Sequence, residues 1–189
     1  AHEQRMSEAP EPVRVPSLPA ADAGLVEEGQ GLYVLLECWT CHGIEGNGRG
    51  PSGRELLDEA GDSIRPTDFR YDPFKGGREP AAVARTFLTG LNGTPMPSYG
   101  EVFLFAREEA GSPSDFAERV PGSAIAALER LLARSPSRSE LDAMGEDGLA
   151  RLWDRRVAAL AHYVLSLDRR SRLWFHLVRE EPEREERKP

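Results

Sequence analysis

Hydrophobic residues recur at the three- to four-residue spacing of amphipathic helices in several stretches of this chain. No stretch shows the strict alternation of a half-buried strand, and no internal repeat is visible. The predicted fold class is therefore all-α. The pattern predicts helices from Asp22 to about Trp39, around 54–60, over 79–90, over 123–133 and from about 149 to 168.

Two glycines interrupt the first predicted helix. Gly29 and Gly31 each weaken a helix by about 1 kcal/mol relative to alanine, so their presence needs a physical reason. A missing side chain allows the backbone of another helix to approach closely. Either this first helix is only weakly stable, or a second helix crosses it closely at this point.

The predicted helices are flanked by segments of different composition. Residues 1–21 contain four prolines and are expected to form an extended N-terminal tail, whereas 22–168 form the predicted domain. Within that domain, 101–148 is rich in Pro, Ser, Gly and acidic residues apart from one clear helix. Residues 169–189 form a C-terminal extension, with a short amphipathic stretch at 172–178 and a charged tail.

The charge balance narrows the range of partners. The chain has 24 Lys and Arg against 32 Asp and Glu, a formal net charge of −8 at pH 7. This balance argues against a nucleic-acid partner, which requires a basic face, and suits a basic protein partner or no partner at all. No run approaches the roughly 18 apolar residues that a membrane span requires, so no transmembrane segment is predicted in this chain.

The only two cysteines stand in the sequence Cys38-Trp39-Thr40-Cys41-His42, which a glycine-rich loop follows. A redox dithiol also uses C-x-x-C, but it normally follows a strand, and no strand is predicted here. A zinc site needs about four ligands, and no second ligand pair is apparent. A c-type haem uses all three groups, because the thiols add across its vinyl groups as thioethers and the histidine reaches the iron. The spacing favours the haem, since one helical turn presents the three groups together.

Iron held by histidine and methionine forms an electron-transfer centre with a raised potential. The chain has three methionines: Met6 in the tail, Met144 in the irregular segment and Met96 in a loop between two prolines. Because proline fixes φ, the loop presents the thioether of Met96 at low entropic cost. We therefore predict His42 and Met96 as the two axial ligands of the iron.

Taken in order, these motifs resemble those of class I cytochromes c, in particular the bacterial monohaem proteins that act as carriers or as haem subunits of respiratory oxidoreductases. The resemblance covers roughly 24–100 and 150–168, and it is carried by the segments GQGLYVLLECWTCHGIEGNGRGP, RPTDFRYDPFKGG, TFLTGLNGTPMPSYG and VAALAHYVLSL. It implies a cytochrome c fold with one covalent haem c. It also implies that the first and last helices cross, with Gly29 against the region of Tyr163.

The resemblance implies roles for further residues. In this family the carbonyl of a proline in the loop after the histidine accepts the imidazole N–H, and Pro51 is the best match. Arg65 or Arg85 would pair with a haem propionate, since the guanidinium suits a carboxylate. Haem attachment in bacterial members takes place outside the cytoplasm, so the chain is expected to be exported to the periplasm.

The function that the resemblance implies is one-electron transfer to redox protein partners, either in passing contact or within a permanent oxidoreductase complex. The chain itself would not be an enzyme. The alternative is a haem enzyme or gas sensor with an open iron position, against which Met96 argues. The chain departs from the family pattern at 101–148, which would be either a tolerated surface insertion or a docking surface or cover for part of the haem.

Overall fold

The computed structural model describes residues 13–100, 102–106 and 113–169. Its helices are α1 (Ala23–Leu35), α2 (Cys38–His42), α3 (Pro80–Thr89), a 3₁₀ helix (Val102–Leu104), α4 (Ser114–Ala117), α5 (Gly122–Arg134), α6 (Arg138–Ala143) and α7 (Glu146–Ser166). These described ranges contain no β-strand, and one isolated antiparallel bridge pairs Leu57 with Ser63. The predicted all-α class is confirmed.

The first helix begins where the sequence predicts and ends earlier. The Asp22 carboxylate accepts a hydrogen bond from the Leu25 N–H at 2.7 Å and caps α1 at its N-terminus. The helix ends at Leu35, because Glu37 takes a left-handed conformation with φ of 52° that no α-helix accommodates. The prediction of one continuous helix from Asp22 to Trp39 is therefore wrong, and the cysteine motif forms a separate short helix in a new direction.

The crossing of α1 and α7 requires the glycine at position 29. A Cβ atom built on Gly29 would lie 2.0 Å from the Ala159 carbonyl oxygen and 2.7 Å from the Tyr163 Cβ. The rings of Tyr33 and Tyr163 pack beside this point, with centroids 5.2 Å apart. The predicted contact between Gly29 and the region of Tyr163 is confirmed.

A second close approach joins α1 to α5. A Cβ on Gly31 would lie 2.8 Å from the Ala127 carbonyl oxygen and 2.8 Å from the Leu131 Cβ. Because α5 lies inside the predicted insertion at 101–148, the described part of that segment forms part of the hydrophobic core rather than a separate surface loop. It contributes the buried residues Phe103, Ala106, Phe116, Val120, Ala124, Ala127, Leu128, Leu131 and Leu141.

A buried arginine joins the insertion to the last helix. Arg156 on α7 is 1% exposed. Its guanidinium donates to the carbonyls of Phe103 and Leu104 and to the Ser135 hydroxyl, the last at 2.6 Å. A buried charge is tolerated when hydrogen bonds surround it, and these bonds fix two separate points of the insertion to α7.

Several other predicted elements have different outcomes. The predicted helix around 54–60 is wrong, because this stretch forms turns and the bridge between Leu57 and Ser63.

The described part of the N-terminal tail runs without helix along α7, where the Pro19 carbonyl lies 2.8 Å from the His162 Nε2. The predicted stretch at 172–178 lies outside the described residues. None of the helices in the described ranges is long and apolar enough to cross a membrane.

Gly29→Ala is expected to lower the free energy of unfolding by about 1–3 kcal/mol or more, because the added methyl group overlaps a backbone carbonyl that cannot move freely. Gly122→Ala is the matched control, since nothing lies within 4 Å of its added Cβ. Urea denaturation of the two variants beside the unmutated protein measures the difference. Equal midpoints for all three proteins would contradict the close crossing.

Candidate cofactor site

The cysteine motif forms the short helix α2. Cys38 and Cys41 are partly buried and do not form a disulfide. Residues three apart lie on the same face of a helix, so the two thiols share one face. His42 ends this helix, directly after the second thiol.

The glycine-rich loop after α2 binds the helix end through its backbone. The Gly48 N–H donates to the His42 carbonyl at 2.8 Å, and the Gly50 N–H donates to the Cys41 carbonyl at 3.0 Å. A Cβ on Gly50 would lie 2.2 Å from the Thr40 carbonyl oxygen. The loop therefore needs glycine to come close enough to satisfy carbonyls that a helix end leaves unpaired.

The His42 ring is held in one orientation by a backbone carbonyl. Its Nδ1 lies 3.2 Å from the Thr67 carbonyl oxygen. A carbonyl can only accept a hydrogen bond, so the proton sits on Nδ1 and the lone pair of Nε2 remains for a metal. Burial lowers the pKa of His42, and the hydrogen bond to Thr67 partly offsets this shift. The ring also stacks on Phe69 with centroids 4.3 Å apart, so the site holds a neutral, oriented imidazole.

The carbonyl partner of His42 is not the one that the sequence suggests. Pro51 is exposed, and Thr67 occupies the role that was expected of it. The segment that carries Thr67 is held against the glycine-rich loop by the Phe69 N–H, which donates to the Gly46 carbonyl at 2.7 Å. Thr67 lies within the RPTDF motif, one of the segments that carry the family resemblance. The distance of this motif from His42 along the chain does not predict that its carbonyl contacts the imidazole.

The two candidate propionate partners lie on the surface. Arg65 is exposed, and its guanidinium lies 3.4 Å from the Asp72 carboxylate. Arg85 is an exposed residue of α3. An exposed guanidinium can turn towards another carboxylate, so the propionate role of Arg65 or Arg85 stays a prediction.

Three tyrosines and the first cysteine have pKa values that are raised by burial. Burial raises the pKa values of Tyr33, Tyr99 and Tyr163, that of Tyr163 to about 12, and the proximity of Cys38 raises each of them further. Burial also raises the pKa of the Cys38 thiol to about 12. Redox dithiols have the opposite property, a lowered thiol pKa. Burial of Cys38 therefore does not favour the thiolate form that a redox dithiol uses.

The insertion contacts α2 through Arg119. The Arg119 guanidinium lies 5.3 Å from the centroid of the Trp39 ring and 3.7 Å from the Glu37 carboxylate. Trp39 is 3% exposed, and its indole N–H has no hydrogen-bond partner within the part of the chain that the structure describes. A buried donor without a protein partner is rare, and this one belongs to a residue between the two cysteines.

The loop with the candidate methionine ligand is closed by its own hydrogen bonds. Gly90 begins it with φ of 68°, and a Cβ at this position would lie 2.8 Å from the Met96 carbonyl oxygen. The Leu91 N–H donates to that carbonyl at 3.2 Å, and the Thr94 hydroxyl donates to the Leu91 carbonyl at 2.8 Å. Met96 is partly buried and packs against the core. The loop therefore holds its methionine in a defined position.

This donor set fits a covalently bound c-type haem. Two free thiols three residues apart, an imidazole with Nε2 available and a thioether on a fixed loop are the groups that such a cofactor uses. Across the described ranges, no group of three or more His, Cys, Asp or Glu is arranged to hold a bare metal ion.

Comparison with known proteins gives one solved structure related to this all-α chain. No protein-family model matches the chain, and no curated protein sequence matches it. The similar structure is a chain of a hydroxylamine oxidoreductase-like (HAO-like) assembly. It belongs to the reducing HAO-like protein complex Kustc0457/Kustc0458 of Kuenenia stuttgartiensis, with 32% sequence identity and a TM-score of 0.54. The similarity covers 88% of this chain and 54% of that chain, so this chain spans about half the length of its relative.

Tyr33→Phe is expected to lower the free energy of unfolding by about 1–3 kcal/mol, because the buried Gly43 carbonyl loses its hydrogen-bond donor. In the unmutated protein the Tyr33 hydroxyl donates to this carbonyl at 2.7 Å, directly beside His42. Tyr71→Phe is the control, since Tyr71 is 50% exposed. Chemical denaturation measures the free energy of unfolding. An equal decrease in both variants would show that the hydrogen bond to the Gly43 carbonyl contributes nothing specific to stability.

Proposed function

We propose that this protein transfers single electrons through one haem c, which Cys38 and Cys41 would hold covalently and whose iron His42 and Met96 would bind. The observation that carries this proposal is the arrangement at α2, where two free thiols share a helix face and the Nδ1 of His42 is bonded to the Thr67 carbonyl. When bound there, haem c would supply an iron that gains and releases one electron.

Each part of the site has a defined task in this function. The two cysteines hold the cofactor, and the Thr67 carbonyl orients the His42 ring and raises the basicity of its Nε2. Met96 supplies the soft ligand that raises the reduction potential. The buried tyrosines and Trp39 exclude water from the side of α2 that faces the core. In this function no residue makes or breaks a bond in a substrate.

The similarity to a HAO-like complex supports a place within a larger oxidoreductase rather than a free shuttle. The related chain belongs to an assembly that is named for two proteins and called HAO-like. This chain spans about half of that relative, so the proposal concerns an electron-transfer subunit and not the catalytic activity of the whole assembly. The net charge of −8 favours a partner with a basic surface.

The same proposal places the chain in the periplasm. Covalent haem attachment takes place outside the cytoplasm in the bacterial cytochromes that this chain resembles. Cell fractionation of the native organism tests this placement. Recovery of the haem-bearing chain in the periplasmic fraction is expected, and recovery with the cytoplasmic markers would contradict it.

The double variant Cys38→Ala/Cys41→Ala is expected to lose all covalently bound haem, because no other described cysteine is available for a thioether. Either single variant keeps one cysteine for a thioether and is expected to retain part of the covalently bound haem. Intact mass after acid–acetone extraction measures the bound haem, and the unmutated protein should carry one. An unmutated chain without added mass would overturn the proposal.

Met96→Ala is expected to leave the haem attached, to lower the reduction potential and to remove the weak ferric absorption band near roughly 695 nm that reports a methionine sulfur on low-spin iron. Met144→Ala is the matched control and should change neither property, since Met144 lies just before α7 in the insertion. Absorbance spectroscopy and redox titration measure both. High-spin ferric iron that binds carbon monoxide or cyanide readily in the unmutated protein would instead support a haem enzyme or gas sensor.

A further inference from the structure

We propose that Trp153 is a positioning residue for the methionine ligand, because its indole N–H fixes the end of the Met96 loop to the last helix. The inference rests on the proposed function, in which Met96 binds the iron. Trp153 lies on α7, far from the cysteine motif in sequence, and none of the motifs that indicate a haem includes it.

The central contact is a hydrogen bond across 53 residues of chain. The Nε1 of Trp153 donates to the Gly100 carbonyl oxygen at 2.9 Å. Gly100 follows Met96 by four residues and closes the loop that carries it. Just before it, the Tyr99 N–H donates to the Phe87 carbonyl of α3 at 2.9 Å. The C-terminal end of the loop is therefore bound to two helices, and Trp153 provides the only side chain among these contacts.

The indole is itself held on two sides. The Phe103 ring meets it edge-on, with centroids 6.5 Å apart and planes at 82°. The Arg14 guanidinium lies 5.0 Å from the centroid of the Trp153 ring and pairs with the neighbouring Asp154. An indole fixed in this way loses little conformational entropy when its N–H binds the Gly100 carbonyl. The N-terminal segment and the 3₁₀ helix therefore support the hydrogen bond that α7 makes to the loop.

Loss of this anchor should appear as a shift in ligand exchange. An external ligand such as imidazole binds the iron only in molecules whose Met96 has moved away, so its apparent affinity is proportional to the population of that open form. A neutral hydrogen bond changes such a population by about three- to tenfold. Removal of the indole N–H should therefore raise the imidazole affinity by the same factor.

The test is an imidazole titration of the ferric holoprotein, followed through the loss of the methionine absorption band. Trp153→Phe keeps an aromatic ring and removes the N–H, and it is expected to lower the apparent dissociation constant by about three- to tenfold. Arg14→Gln leaves the indole in place and removes the cation above it, so a smaller change in the same direction is expected. Ser166→Ala is the matched control on the same helix, because its hydroxyl donates to the Tyr163 carbonyl at 2.6 Å, away from the Met96 loop.

The outcomes separate this inference from the proposed function. If the unmutated protein has the methionine band and Trp153→Phe binds imidazole as weakly as the unmutated protein does, the positioning role is overturned and the ligand assignment stands. An equal increase in Ser166→Ala would also overturn it, because general loosening would then explain the change. If Trp153→Phe does not fold, an unchanged affinity in Arg14→Gln decides against the role. Absence of the band in the unmutated protein overturns both proposals.

Discussion

The close crossing of α1 and α7 is the constraint on which the rest of the structure depends. At Gly29 the two backbones approach so closely that a single methyl group would overlap the Ala159 carbonyl. This contact fixes the direction in which α1 delivers the chain to Glu37, where the left-handed turn starts the cysteine helix. It also fixes α7, which carries Trp153 to the Gly100 carbonyl at the end of the Met96 loop. One backbone contact thus positions both the helix that leads into the cysteine motif and the helix that binds the end of the Met96 loop.

The candidate site is held mainly by backbone atoms rather than by side chains. Loop amides bind the end of α2, and the Thr67 carbonyl orients His42. Backbone contacts of this kind depend on glycines that admit close approach, and a Cβ on Gly48 would lie 2.5 Å from the Pro66 carbonyl oxygen. Sequence changes at exposed positions of the loop would leave this framework intact, whereas any side chain at its glycines would not.

The long helices were predictable because their apolar faces repeat over several turns, and the predicted 123–133 became Gly122–Arg134. The candidate ligands also come from the sequence, because their spacing along the chain suits one cofactor, and their binding of that cofactor stays a prediction. The break at Glu37 was not, since glutamate has no preference for a left-handed turn and tertiary packing imposes it. Thr67 was missed for a related reason: its contribution is a carbonyl, which every residue possesses, and only the folded chain places it beside His42.

Gly31 has a consequence for how freely the length of this chain can vary. Its bare backbone lies against Ala127 and Leu131 of α5, so α1 is shaped to receive a helix from the segment before α7. A shortened chain without that segment would expose apolar surface of α1 to solvent, beside Leu32, which is fully buried in the complete domain. It would also strand the Arg156 guanidinium without its acceptors at Phe103 and Ser135. The described part of this segment therefore belongs to the core of the domain, and its removal is expected to destabilise the fold rather than shorten a surface loop.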